Sequence, residues 1–185
     1  MPETYKVVDN FLPSDAFDEL KSCLMSWSFP WFRQAQTTYS EKPTTQPSES
    51  TDKAGDYNFT HVFCSEGQST SEHFHLLAKS LIDYIVSDKD ISDSDWKIES
   101  LLRAKANLYT RSENLIEHPQ HKDFSYPHKG AILYINDNNG FTSIENSDKI
   151  ESKSNRLLMF DSSKFHNSTN CTDRNCRINI NINYL

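Results

Sequence analysis

The final stretch of the chain constrains its fold more than any other. From Arg177 to Tyr184 the residues alternate without a break, with Ile178, Ile180, Ile182 and Tyr184 facing one way and Arg177, Asn179, Asn181 and Asn183 the other. The two-residue period of a β-strand turns this into one apolar and one polar face. A row of asparagines behind an arginine cannot pack against hydrocarbon, so that face lines either solvent or a polar cavity. If the strands curl into a barrel, the polar face points inward. An arginine inside a barrel needs an anionic partner, and a dicarboxylate supplies one through a two-pronged, charge-assisted pair.

The rest of the second half is also β in character. Residues 101–109 alternate, with Leu102, Ala104, Ala106 and Leu108 on one face and Arg103, Lys105, Asn107 and Tyr109 on the other. Asn107 and Tyr109 could therefore donate hydrogen bonds to the same ligand as Arg177. Further strands are expected at 130–136, at 141–144 after the turn signal Asp137-Asn138-Asn139-Gly140, and at 156–160. The first half is mixed. A short strand at Val7-Val8 leads to a helix capped by Ser14, whose Phe17, Leu20, Cys23 and Leu24 recur at helical spacing. The aromatic connection from Trp27 to Phe32 reads as core packing. Residues 34–56 are polar with little to bury and read as a mobile loop, while 57–63 read as a strand that sets His61 in a structural position. A second helix is expected over 70–87, with Phe74, Leu77, Ala78, Leu81, Ile82 and Ile85 buried, followed by a solvated, carboxylate-rich connection at 87–95. Helices precede strands and no second compositional domain is visible. The class is α+β: one domain over 1–185, with helical support and the loop in 1–96 and a β-barrel core in 97–185, packed on the N-terminal helices.

Inside that β region lies Glu117-His118-Pro119-Gln120-His121-Lys122-Asp123. On an extended backbone His121 and Asp123 point to the same side, and His166 downstream can complete a set of two histidines and one carboxylate with open positions, the arrangement expected for a non-haem Fe(II) oxygenase. A short HxD alone arises often by chance; the distal histidine and an arginine on a polar-faced strand make the combination specific. His118 lies an odd number of residues from His121, so a continuous strand points it away. His128 follows Pro127 in a loop, where it could face substrate or stand exposed.

With a net charge of −7 the chain has no overall basic footprint, which disfavours nucleic acid without excluding it. Arg103, Lys105, Arg111, Lys122 and Lys129 nevertheless gather near the candidate site as a local basic rim that could attract an anionic substrate. No apolar run approaches the roughly 20 residues that span a bilayer, and the N-terminus lacks a signal-peptide pattern, so the expectation is a cytoplasmic protein with no membrane partner. Cys23, Cys64, Cys171 and Cys176 are scattered and read as idle thiols, although Cys171 and Cys176 could pair on oxidation.

Taken together, His121-x-Asp123, His166 and Arg177-x-Asn179 resemble the Fe(II)- and 2-oxoglutarate-dependent dioxygenases, of the prolyl-hydroxylase-like kind found in phage and marine bacteria. The resemblance covers residues 97–185 and, more loosely, Asp9-Asn10-Phe11-Leu12 and Phe29-Pro30-Trp31. It implies a double-stranded β-helix (jelly-roll, cupin-like) barrel. In it His121, Asp123 and His166 bind iron, Arg177 pairs with the distal carboxylate of 2-oxoglutarate, and Tyr109, Asn107 and Asn179 help to hold that co-substrate. It also implies O2 as oxidant, with ascorbate as an accessory reductant. The reaction would be hydroxylation of a peptidyl or small-molecule substrate with release of succinate and CO2, in the host cytoplasm if the gene is a phage's. One departure is that residues 111–120 lack the glycine-rich stretch many relatives carry before the first histidine. A barrel kept as a binding or virion-associated structural module is the other reading.

Overall fold

The computed structural model describes residues 5–35, 57–145 and 149–185. Most of the loop expected at 34–56 lies outside these residues.

Two antiparallel sheets face each other. The larger runs β1-β9-β6-β11-β5-β3-β2, with β4 (Gln68–Ser69) pairing β3; its members are β1 (Tyr5–Val8), β2 (Phe32–Gln34), β3 (Asn58–Ser65), β5 (Leu101–Thr110), β6 (Lys129–Tyr134), β9 (Arg156–Asp161) and β11 (Cys176–Tyr184). The smaller runs β10-β7-β8, from His166–Ser168, Phe141–Ile144 and Lys149–Glu151. This is the double-stranded β-helix that the family resemblance implied: one face of the large sheet meets helices, and the other closes over the small sheet.

The apolar faces explain the layering. Ile178, Ile180 and Ile182 join Ala104, Ala106, Ala131, Leu133, Leu157 and Met159 in a core that also takes Phe17, Leu20 and Leu24 from α1 (Ser14–Leu24) and Leu77, Leu81 and Ile85 from the second helical segment. Burying each such Ile or Leu contributes roughly 1.5–3 kcal/mol. A second cluster, Ile132, Tyr134, Leu158 and Phe160 with Ile144 and Ile150, fills part of the space between the sheets. β6 and β9 thus pack apolar residues on both faces, which is why they read as continuous apolar runs, whereas β11 is apolar only toward the helices.

Several local expectations need correcting. Ser14 is the first residue of α1 rather than its cap; the non-helical residue before it is Pro13, whose carbonyl accepts from Phe17 N at 3.0 Å. Proline suits that place because it has no N–H to leave unpaired. The second helix starts at Phe74, after a turn in which Ser71 Oγ accepts from His73 N at 3.0 Å. It runs as α2 (Phe74–Leu77), a π-helical stretch (Ala78–Ile82) and α3 (Asp83–Ser87). The wider turn brings Ser80 as well as Leu81 into the core, which a strict 3.6-residue period does not anticipate. The connection at 87–95 contains a helical turn, α4 (Lys89–Ser92), capped by Asp88 Oδ1, and it buries Ile91. In the aromatic connection Phe29 is buried against Phe63, but Trp27 is 98% exposed. His61 is structural as expected, with Nδ1 donating to Pro30 O at 2.8 Å and Nε2 accepting from Ser71 Oγ at 2.7 Å. Among the described residues no helix is long and apolar enough to cross a membrane.

Candidate metal and dicarboxylate site

The polar face of β11 and that of β5 form one surface. The register pairs Arg177 with Tyr109, Asn179 with Asn107, Asn181 with Lys105 and Asn183 with Arg103. Directly opposed residues of an antiparallel pair share a face, so all eight side chains line the space between the sheets. Asn107 Nδ2 donates to Asn179 Oδ1 at 2.9 Å, which fixes both amides.

At one end of this surface stand His121, Asp123 and His166, with one ligand atom from each lying within 4.8 Å of the others. His166 belongs to β10. His121 is tied to it by an isolated bridge, His121 N to His166 O at 2.9 Å and His166 N to His121 O at 3.0 Å. This pairing sets the two rings 4.5 Å apart. Each imidazole faces a carbonyl through Nδ1, His121 toward Pro119 O at 3.3 Å and His166 toward Lys164 O at 3.0 Å. A carbonyl can only accept, so Nδ1 carries the proton and Nε2 keeps the lone pair a metal needs. His166 Nε2 lies 3.6 Å from Asp123 Oδ2.

Asp123 is the most heavily supported of the three. Arg103 donates to Oδ1 at 2.6 Å, while Ser162 Oγ, Asn183 Nδ2 and Asn181 Nδ2 donate to Oδ2 at 2.8, 2.9 and 3.2 Å. Burial works toward the protonated acid, but the charges of Lys105 and Arg103 hold the carboxyl well below its usual range. Burial and the neighbouring His166 push His121 down to about 4, so it is neutral and able to ligate near pH 7.

Arg177 occupies the other end, fully buried. Its Nε donates to Ser152 Oγ at 2.7 Å, one terminal nitrogen to Ser168 Oγ at 2.5 Å and Thr169 O at 3.2 Å, and the other to Thr142 Oγ1 at 3.3 Å. The rings of Tyr109 and Tyr134 flank it with centroids 5.5 and 5.6 Å from the guanidinium carbon. Every one of these partners is neutral. Among the described residues no carboxylate pairs with this guanidinium, and four bonds leave one of its five N–H donors unspent. Gly140 makes room for its stem: a Cβ there would lie 2.6 Å from Arg177 Cδ and 2.5 Å from Asn170 O.

The site thus brings together all seven residues expected from sequence: His121, Asp123 and His166 at one end, Arg177 and Tyr109 at the other, and Asn107 with Asn179 between. His118 is placed differently from expectation, and of the two readings open for His128 exposure falls away. His118 does not point away. It is buried, its ring lies 4.9 Å from that of Tyr109, and its Nε2 has no partner among the described residues. Residues 112–120 are irregular, joined to their neighbours by an isolated bridge at Glu117, so strand parity does not govern them. His128 is buried rather than exposed, with Nδ1 donating to Tyr126 O at 2.9 Å. Of the expected basic rim, Arg103 is committed to Asp123, and Lys122 lies over the Phe165 ring at 4.8 Å. Unforeseen were the roles of Arg103, Ser162, Asn181 and Asn183 around Asp123. The one usable signal was the asparagine row itself, since buried amides need a shared acceptor.

No protein-family model matches the sequence, and neither does any curated protein. Solved structures do match in fold. A prolyl-4-hydroxylase from Pseudomonas putida superposes with a TM-score of 0.60 at 13% identity, covering 99% of this chain and 93% of that one. A prolyl hydroxylase from Trichoplax adhaerens, in complex with a peptide fragment of the hypoxia-inducible factor oxygen degradation domain, gives 0.61 at 15%, covering 100% and 84%. HygX from Streptomyces hygroscopicus, with nickel, 2-oxoglutarate and hygromycin B bound, gives 0.56 at 12%, covering 98% and 82%. The chain has the fold of these proteins across nearly its whole length.

Proposed function

We propose that this chain is an Fe(II)- and 2-oxoglutarate-dependent oxygenase that hydroxylates a peptidyl or small-molecule substrate, with release of succinate and CO2. The observation that carries the reading is the pairing of two incomplete centres in one cavity. Three metal-ligating groups converge at one end, and a fully buried arginine with no anionic partner among the described residues stands at the other. A ligand with a chelating 2-oxo acid at one end and a carboxylate at the other answers both needs. His118 Nε2, beside Tyr109 and unpartnered among the described residues, gives such a ligand a further contact. The peptide complex of the Trichoplax protein and the hygromycin B complex of HygX support both substrate classes.

In this reading His121 and His166 would hold the ion through Nε2, and Asp123 through a carboxylate oxygen. Bound iron supplies oxidative decarboxylation of the 2-oxo acid by O2, coupled to hydroxylation of a substrate C–H bond, with ascorbate as an accessory reductant. The protein's share is positional. Arg103, Ser162, Asn181 and Asn183 fix the Asp123 carboxylate in its ionised form, the two carbonyls fix the imidazole tautomers, and Arg177 sets how deep the dicarboxylate sits. Asn107 and Asn179, locked to each other, and Tyr109 hold its length. The apolar packing of Ile132, Tyr134, Leu158 and Phe160 shields the remaining side from water. Succinate formation from 2-oxoglutarate with Fe(II), ascorbate and O2, followed in wild type and Asp123→Ala, tests this. Formation in wild type and none in the variant is expected; equal formation in both would overturn the metal assignment.

A further inference from the structure

Four side chains of β5 face the cavity, and three have partners there. Arg103 holds Asp123 and Asn183, Asn107 holds Asn179, and Tyr109 packs on His118 beside Arg177. Lys105 is the exception. It sits between Arg103 and Asn107 on the same face, directly opposite Asn181, and is half-buried. Among the described residues nothing accepts a hydrogen bond from its ammonium and no carboxylate pairs with it. Directly opposed side chains start with Cβ atoms about 5 Å apart, and Asn181 itself touches Asp123, so Lys105 stands next to the metal triad and not at the Arg177 end.

The charge of Asp123 acts on Lys105, but no hydrogen bond or ion pair joins the two. Both carboxylate oxygens are already engaged by the four donors named above, one of them the Arg103 guanidinium. Asn181 Oδ1 is buried and unpartnered, and can take one of the three ammonium donors, but an amide oxygen does not neutralise a charge. Two of its donors remain unspent on the metal side of the cavity. This occurs in a chain whose net charge is −7, so a general surplus of cations does not account for it.

We propose that Lys105 forms a carboxylate-receiving site beside the metal, separate from the Arg177 site at the far end. The inference rests on the oxygenase reading for the identity of what enters. The carboxylate then comes from one of two sources, the 2-oxo-acid end of the co-substrate or an acidic group on the substrate. In both cases Lys105 is a positioning residue: it orients an anion against the metal face and does not itself react. Surface lysines elsewhere on the chain cannot substitute, because the site needs an ammonium already partly withdrawn from water and flanked by the Asn181 amide.

The test uses the full chain loaded with a redox-inert ion, as wild type, Lys105→Met and Lys105→Arg, at neutral pH. Calorimetric titration of the Ni(II)-loaded protein with 2-oxoglutarate reads the co-substrate source. Relaxation of acetate methyl protons by Mn(II) in the same site, with and without saturating 2-oxoglutarate, reads the substrate source. Lys105→Met is expected to weaken one of the two carboxylates about 10-fold or more, while Lys105→Arg, which keeps the charge, stays within about 3-fold of wild type. Weaker 2-oxoglutarate binding assigns the site to the co-substrate, and weaker acetate on the 2-oxoglutarate-loaded protein assigns it to the substrate. If Lys105→Met binds 2-oxoglutarate and acetate as wild type does, with metal content and melting temperature also unchanged, Lys105 receives no carboxylate and the proposal fails. Failure of the oxygenase reading looks different: wild type itself would not bind 2-oxoglutarate, and the acetate titration without 2-oxoglutarate would still decide on Lys105.

Discussion

A guanidinium with no exposed surface and, among the described residues, only hydroxyls, a carbonyl and two phenol rings around it is an expensive group to keep, because none of these balances its charge. Its arrangement makes sense when an anion completes it. Arg177→Met should therefore weaken 2-oxoglutarate binding about 30-fold or more, the factor expected for losing a charge-assisted pair of roughly 2 kcal/mol or more. Arg177→Lys should recover only part of that, since an ammonium lacks the two-pronged geometry. Both are read by calorimetry on the metal-loaded protein, and unchanged affinity in Arg177→Met would remove the dicarboxylate from that end. Gly140 offers an independent check at a residue that touches no ligand. A methyl group there collides with the Asn170 carbonyl, which cannot move cheaply, and with the Arg177 stem. Gly140→Ala should lower 2-oxoglutarate affinity in the same direction as Arg177→Met, together with a loss of roughly 1–3 kcal/mol in urea denaturation. Arg177 was legible in the sequence because it begins an unbroken alternation. The need for glycine at 140 was not, since the turn signal Asp137-Asn138-Asn139-Gly140 explains that glycine locally and hides its contact with a residue 37 positions later.

At the scale of elements, β11 does two jobs with one period. Its isoleucines bind the sheet to the helices and its asparagines and arginine furnish the cavity, so substitutions on the two faces should separate cleanly. Ile180→Ala is expected to cost about 2–5 kcal/mol of stability through the cavity it leaves, with little change in metal affinity per folded molecule. Asn183→Ala should do the reverse: metal affinity falls about 10-fold, because Asp123 loses one of its holders, while the fold is largely kept. Urea denaturation and calorimetric metal titration of the two variants check this, and parallel loss in both would show that the faces are not independent. β11 and β5 could be read from sequence because each presents unlike faces. β6 and β9 could be recognised as strands but not oriented, since both of their faces are apolar. The segment before Asp123 escaped for a different reason: a strand rule of odd and even positions has no hold on a chain that touches its neighbours at isolated bridges, and so His118 was placed on the wrong side.

For the whole molecule, the buried imidazoles couple stability to pH. Burial, with the nearby Arg177 charge, pushes His118 down to about 4 from its ordinary 6.5. Between those values the unfolded chain takes up a proton that the folded chain refuses. Stability is therefore fully present above about 6.5 and declines as pH falls toward 4. From pH 6.5 to 5 the share from His118 is about 1.5 kcal/mol, and His118→Phe should flatten the urea-denaturation profile of the metal-free protein by that amount. A profile unchanged by the substitution would mean that His118 is as free to ionise in the folded state as in the unfolded one.

The central claim is that one cavity binds a divalent metal through His121, Asp123 and His166 and a dicarboxylate between that metal and Arg177. Anaerobic calorimetric titration of the chain with 2-oxoglutarate, with and without Fe(II), in wild type and Asp123→Ala, tests it most directly. The account predicts tight binding only in the metal-loaded wild type, with at least a 100-fold loss, about 2.7 kcal/mol, when the metal or the carboxylate is removed. Binding of 2-oxoglutarate that is indifferent to both, or its absence from wild type with Fe(II) bound, would contradict it.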